Sequence, residues 1–132
     1  HGTPRHPDDL AGHAGVLLMG RDGRQDVWTL DTPDGGQVRV RMHSRFESNF
    51  GELLRDAVLA GQGIAVHSLW HVADDLRAGR LVVVLPDYPP PTSQISAVMP
   101  ARRLQPPRVR SFVDFLIERL GTSPPWEDGA PG

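Results

Sequence analysis

Residues 45–66, RFESNFGELLRDAVLAGQGIAV, carry the grammar of a helix delivered by a tight turn into a strand. Asn49 and Glu52 stand at capping-box spacing: the amide oxygen can take a free N–H of the first turn while the carboxylate reaches back to the cap. A helix is therefore predicted from near Phe50. Phe50, Leu53, Leu54, Ala57 and Val58 recur at i, i+3, i+4, i+7 and i+8, an apolar stripe about a hundred degrees wide, and Glu52, Arg55 and Asp56 lie off it. Gly61 falls where a left-handed residue ends a helix, and Gly63 relaxes the next corner. Ile64-Ala65-Val66 then suits a strand covered on both faces, so helix and strand together make half of a parallel crossover in an α/β fold. The first N–H groups of such a helix carry the positive end of its dipole and favour an anion or a carbonyl oxygen, with Ser48 and Asn49 beside them. Simple capping is the competing reading of those two residues.

Upstream, Val16-Leu17-Leu18-Met19 reads as a buried strand emptying into Gly20-Arg21-Asp22-Gly23. Loops at the carboxyl ends of strands in an open α/β sheet are where ligands are met, although a plain surface turn has the same composition. Before it, His6-Pro7-Asp8-Asp9-Leu10 suits an extended residue and one short helical turn. Asp26 to Leu30 and Gln37 to Met42 flank Thr32-Pro33-Asp34-Gly35-Gly36, with Val38, Val40 and Met42 alternating against Gln37, Arg39 and Arg41: a hairpin with one face buried and arginines on the other.

Downstream, Ser68 can cap a helix from about Leu69 to Ala78, whose Leu69, Val72, Ala73 and Leu76 keep helical spacing and whose stop is Gly79. His67 lies between strand and helix, on the same rim as Gly20-Arg21 and Ser48-Asn49 if the sheet is parallel there. His67 and His71 have the i, i+4 spacing of metal sites, but no third ligand is fixed by spacing, and no metal or other cofactor is expected. Leu81 to Leu85, LVVVL, reads as a strand, Pro86 to Pro91 as a stiff connector, Ile95 to Met99 as another strand, and Arg108 to Leu120, opened by Pro106-Pro107, as a last helix striped by Val109, Phe112, Val113, Leu116 and Leu120. That stripe calls for a cover, from a neighbouring chain or from the chain's own sheet. The tail, 121–132, has a disordered composition.

With 132 residues the chain has room for one core. Cysteine is absent, which removes disulfides and Cys-based zinc sites; the net charge is -2, and the fourteen basic residues, all arginine, alternate with carboxylates. Such a distribution is not a nucleic-acid footprint. No apolar run reaches the length of a membrane span and no charged-then-apolar leader is visible, so no membrane partner and a cytoplasmic location are expected.

Four blocks, GTPRHPDDLAGHAGVLLM, RVRMHSRFESNFGELLRDAVLAGQGIAV, HVADDLRAGRLVVVLPDY and ISAVMPARRLQPPRVRSFVDFLIERL, in this order and spacing resemble the second half of the effector-binding domain of LysR-type transcriptional regulators. The resemblance implies a type 2 periplasmic-binding-protein-like (Rossmann-like) α/β lobe with a mixed sheet, over 5–85, and a return strand and helix within 86–120 that would pack on a first lobe. It implies a small-metabolite effector in an interlobe cleft, expected to be anionic because Arg21 would pair with it, a homo-oligomer (dimer or tetramer) in the full-length protein, and DNA contact only through a winged helix-turn-helix N-terminal to His1. By position, the family's cleft contacts fall on Gly20 and Arg21, on Ser48 and Asn49, and on His67 and Ser68. The family often places an apolar residue and then proline where His67 and Ser68 stand.

Two other functions compete. A transport-type solute-binding protein would share the fold but requires an export signal. A hydrolase requires a nucleophile with a base; Ser68 beside His67 is the sole candidate, adjacent residues seldom point at one another, and no G-x-S-x-G elbow exists, so no catalysis is expected.

Overall fold

The computed structural model describes residues 2–21, 23–98, 106–121 and 124–127. Its organising strand is β1 (Ala14–Gly20). On one side β1 pairs in parallel with β5 (His43–Ser48), Leu18 standing opposite Ser48; at its far end it pairs antiparallel with the short β2 (Gly23–Arg24). On the other side Ile64 forms a parallel bridge with Gly15, its N–H donating to the Ala14 carbonyl (2.9 Å) and its carbonyl accepting from Val16 (2.8 Å). The sheet is mixed and the fold α/β. The expected strand at 64–66 is reduced to this bridge, and Val66 is 40% exposed.

The two faces of β1 sort the core, because side chains alternate across a strand. Leu17 packs with Leu10, Trp28, Leu30, Val40, Met42 and Leu85. Most of that cluster comes from the hairpin of β3 (Val27–Asp31) and β4 (Gln37–Arg41), whose register sets Trp28 opposite Val40 and Leu30 opposite Val38. Val16, on the other face, packs with Leu54 and Ala57 of α1 (Gly51–Leu59). A 3-10 helix, Pro7–Gly12, closes the hairpin side; His6 caps it, and Asp9 Oδ2 takes the N–H groups of Arg5 and His6. Those two donors hold the Asp9 carboxyl below its ordinary range.

Helix α1 starts one residue later than the capping box predicts. Its N-cap is Phe50, without a side-chain cap, and Asn49 is exposed. The cause lies in β5: pairing with β1 runs to Ser48, so Asn49 and Phe50 must turn the chain, and the Ser48 hydroxyl accepts the Phe50 N–H instead (3.0 Å). The apolar stripe is split accordingly. Leu54 and Ala57 are buried, whereas Phe50 and Leu53 are 61% and 49% exposed. Gly61 and Gly63 take positive φ as expected.

Helix α2 (Leu69–Arg77) buries Val72 and Ala73 as its spacing predicts, although Ser68 makes no side-chain cap. It also buries Asp75, fully, between the guanidinium groups of Arg55 on α1 and Arg80 beyond α2, at 2.5 and 2.7 Å. Arg55 first, and Arg80 with it, hold the Asp75 carboxyl below its ordinary range against the opposing effect of burial.

Two predicted strands do not form. Residues 81–85 run without a strand ladder, Val82 and Val83 being exposed, and Leu85 leaves at φ 54 to turn into the core. Residues 95–98 are exposed and unladdered, and Met99 lies outside the described residues. A β-branched run becomes a strand only beside a partner edge, and none reaches these segments among the described residues. Helix α3 (Pro107–Leu120) forms as predicted but buries no residue, with Phe112, Phe115 and Ile117 at least half exposed. Among the described residues, none of its side chains joins a core cluster of the sheet. Of the tail, 124–127 form a turn whose Pro125 carbonyl accepts from Arg77 (2.8 Å); 122, 123 and 128–132 lie outside the described residues.

Candidate functional site

Because β5, β1 and the Ile64 segment run parallel, their carboxyl ends lie on one edge of the sheet. Gly20, Ser48 and His67 end or follow these three segments. Arg21 is exposed at the tip of the β1–β2 turn, and its neighbour Asp22 lies outside the described residues. Ser48 and His67 are linked through the start of α1: Ser48 holds the Phe50 N–H, and His67 Nε2 lies 3.1 Å from the Gly51 carbonyl, a hydrogen bond for the Nε2-protonated tautomer.

His71 completes this corner. Its ring meets His67 edge-on at 4.9 Å, stacks on Trp70 at 4.5 Å, and brings Nε2 within 3.6 Å of the Glu52 carboxylate. A side chain at Gly51 would fall 2.9 Å from the His71 ring, so the bare backbone there makes room for it. Among the described residues, no group of three His, Cys, Asp or Glu could hold a metal ion.

Beside the rim lies a groove of about 700 Å³. His67 and Ser68 line it; Gly20, Arg21, Ser48 and Asn49 do not. Its other walls include Arg24, Asp26, Thr29, Trp70 and Trp126, with Trp28 below. Strand-end reasoning cannot find Thr29 and Arg24, because they belong to antiparallel pairs whose ends alternate in direction. Trp70 did carry a signal, as a large aromatic off the apolar stripe of its helix. Two of the charges on the walls are paired: Arg24 with Glu47 on β5 (2.9 Å) and Asp26 with Arg41 (3.0 Å). The Ser44 hydroxyl, then Arg24, hold the Glu47 carboxyl below its ordinary range, and Glu47 raises Arg24 in return. Among the described residues, no helix is long and apolar enough to cross a membrane.

Comparison with known proteins agrees with this architecture. Residues 1–121 match the family model described as the LysR substrate binding domain. The HTH-type transcriptional regulator DmlR of Escherichia coli K12 is 35% identical over 116 residues, which cover 88% of this chain and 37% of that protein. CrgA of Neisseria meningitidis serogroup C, also an HTH-type transcriptional regulator, is 33% identical over 124 residues, 93% of this chain and 40% of that protein. The chain thus spans well under half the length of these curated relatives. In structure it is similar to the regulatory domain of AphB in Vibrio vulnificus (TM-score 0.66, 26% identity, 89% of this chain and 57% of that one). It is equally similar to full-length AphB of Vibrio cholerae, a member of the LTTR protein family (TM-score 0.66, 26% identity, 89% of this chain and 40% of that one). These matches are to transcriptional regulators and to the regulatory domain of one. With its mixed sheet, its parallel crossover and a family match over residues 1–121, the chain belongs to the LysR substrate-binding-domain family.

Proposed function

We propose that this chain is the second lobe, 5–85, and the return segment, 86–120, of the effector-binding domain of a cytoplasmic LysR-type transcriptional regulator. A small anionic metabolite binds between this lobe and a first lobe; no bond is made or broken. Binding energy shifts the population of lobe and subunit arrangements, and a winged helix-turn-helix elsewhere in the protein, working in a dimer or tetramer, carries the change to DNA. The observation that carries the reading is the shared edge of three parallel strand ends, with the uncapped first turn of α1 on it.

In this reading Arg21 pairs with the anionic group, Gly20 lets the ligand approach the backbone, and Ser48 and Asn49 hold oxygens beside the α1 dipole. His67 and Ser68 line the wall. The bare face of α3, with Phe112, Phe115 and Ile117 exposed, suits contact with the first lobe.

The test is calorimetric titration of a panel of small carboxylates into the full-length protein and its Arg21→Ala and Asn49→Ala variants. Weaker binding in both, with unfolding free energy unchanged, supports the assignment. Unchanged affinity in both variants removes these residues from the site.

A further inference from the structure

The groove beside the rim carries information about the effector that the rim does not, and the inference rests on reading this face as the effector site. We infer that the effector bears a flat aromatic ring that stacks on Trp70. The chain has three tryptophans, and all three line this one groove. Trp28 is 8% exposed and forms its floor; Trp126 is half-buried in its wall; Trp70 is 54% exposed.

Trp70 is not there to build the core. The residues that α2 buries are Val72, Ala73 and Asp75, and Trp70 stands off that stripe. Its ring is nevertheless fixed. It lies nearly parallel to the His71 ring, 18° between planes at 4.5 Å; His71 is held by His67 at 4.9 Å, and His67 by the Gly51 carbonyl. One face of the indole is thus backed by a second ring while much of its surface stays open. Such a preorganised surface accepts a planar partner with little further loss of freedom.

The polar supply of the groove fits the same ligand. Arg24 and Asp26 are engaged by Glu47 and Arg41, and the hydroxyls of Thr29 and Ser68 are among the polar wall groups able to orient a ring substituent.

The experiment uses the full-length protein and two probes of equal charge and ring size, benzoate and cyclohexanecarboxylate, one planar and one puckered. Titration calorimetry is expected to show benzoate binding about 2- to 10-fold tighter, the worth of one aromatic pair. The preference is expected to vanish in Trp70→Ala and to persist in Trp70→Phe. Quenching of tryptophan fluorescence by benzoate, and not by cyclohexanecarboxylate, is expected in the unaltered protein and is expected to be lost in Trp70→Ala. Equal affinity for the two probes, or a preference that survives Trp70→Ala, overturns the inference. If neither probe binds but malonate does, the ring is wrong and the anion site stands; if none of the three binds, both fall.

Discussion

Replacing Gly63 with alanine tests the joint on which the rim depends. Gly63 has φ +151, and a Cβ built there would lie 2.2 Å from the Ala14 carbonyl oxygen and 2.9 Å from its carbon. Both atoms are backbone of the central strand and cannot swing aside as a flexible side chain would. The chain at Gly63 must move off β1, which breaks the two hydrogen bonds between Ile64 and β1. Two backbone hydrogen bonds at about 1 kcal/mol each, with about 1–3 kcal/mol of backbone strain, come to roughly 3–5 kcal/mol. That is a large share of the ~5–15 kcal/mol that holds an ordinary domain together. Gly61→Ala is the control, since φ is +72 there but nothing lies within 4 Å of the added carbon. It should lose only the left-handed cost, about 1–2 kcal/mol. Urea unfolding of the unaltered chain and both variants, compared at constant m, measures the difference. If Gly63→Ala loses no more than Gly61→Ala, the close approach of 63–64 to β1 does not hold this edge of the sheet.

Three further outcomes are expected. Leu54→Ala should destabilise by about 2–5 kcal/mol because Leu54 is 3% exposed against Val16, whereas Leu53→Ala, at 49% exposed, should lose far less in the same urea assay. Asn49→Ala should change stability by no more than about 0.5 kcal/mol, since the amide does not cap α1; a loss near 1 kcal/mol in thermal unfolding would restore the capping box. Asp9, Asp34, Glu47 and Asp75 all have carboxyls held below their ordinary values. A depressed folded-state value gives stability that is present above the unfolded value and is lost as the pH falls through the folded one. Unfolding free energy should therefore drop on acidification below the ordinary carboxylate range, and Asp75→Asn should flatten that drop; an unchanged acid limb would show that Asp75 is not linked to folding.

Local periodicity revealed those elements whose partners lie close in sequence. The hairpin, α1, α2, α3 and the turn glycines Gly61 and Gly79 each follow from spacing within about fifteen residues. Strand β5, HSRFES, was invisible because it has no apolar alternation: Phe46 is its one side chain packed in a core cluster, and its place is set by backbone pairing with β1, some thirty residues earlier. The converse error befell LVVVL and the run from Ile95, which have the composition of strands and lack a neighbouring edge among the described residues. Asn49 and Glu52 had the right spacing for a cap, but the demand of β5 for Ser48 overrode it. The candidate site was legible to the extent that it is a property of strand direction, which brings Gly20, Ser48 and His67 to one edge. Its walls at Arg24, Thr29 and Trp70 arise from packing across elements, which no spacing records.

The single carboxylate of Asp75 ties α1 to α2 and to the chain that leaves α2. Arg55 on α1 and Arg80 beyond α2 share this one buried anion, so sliding α1 along α2 would strand a charge away from water. A displacement of α1 at Arg55 is thereby handed to α2 at Asp75, twenty residues further along the chain, through a single contact.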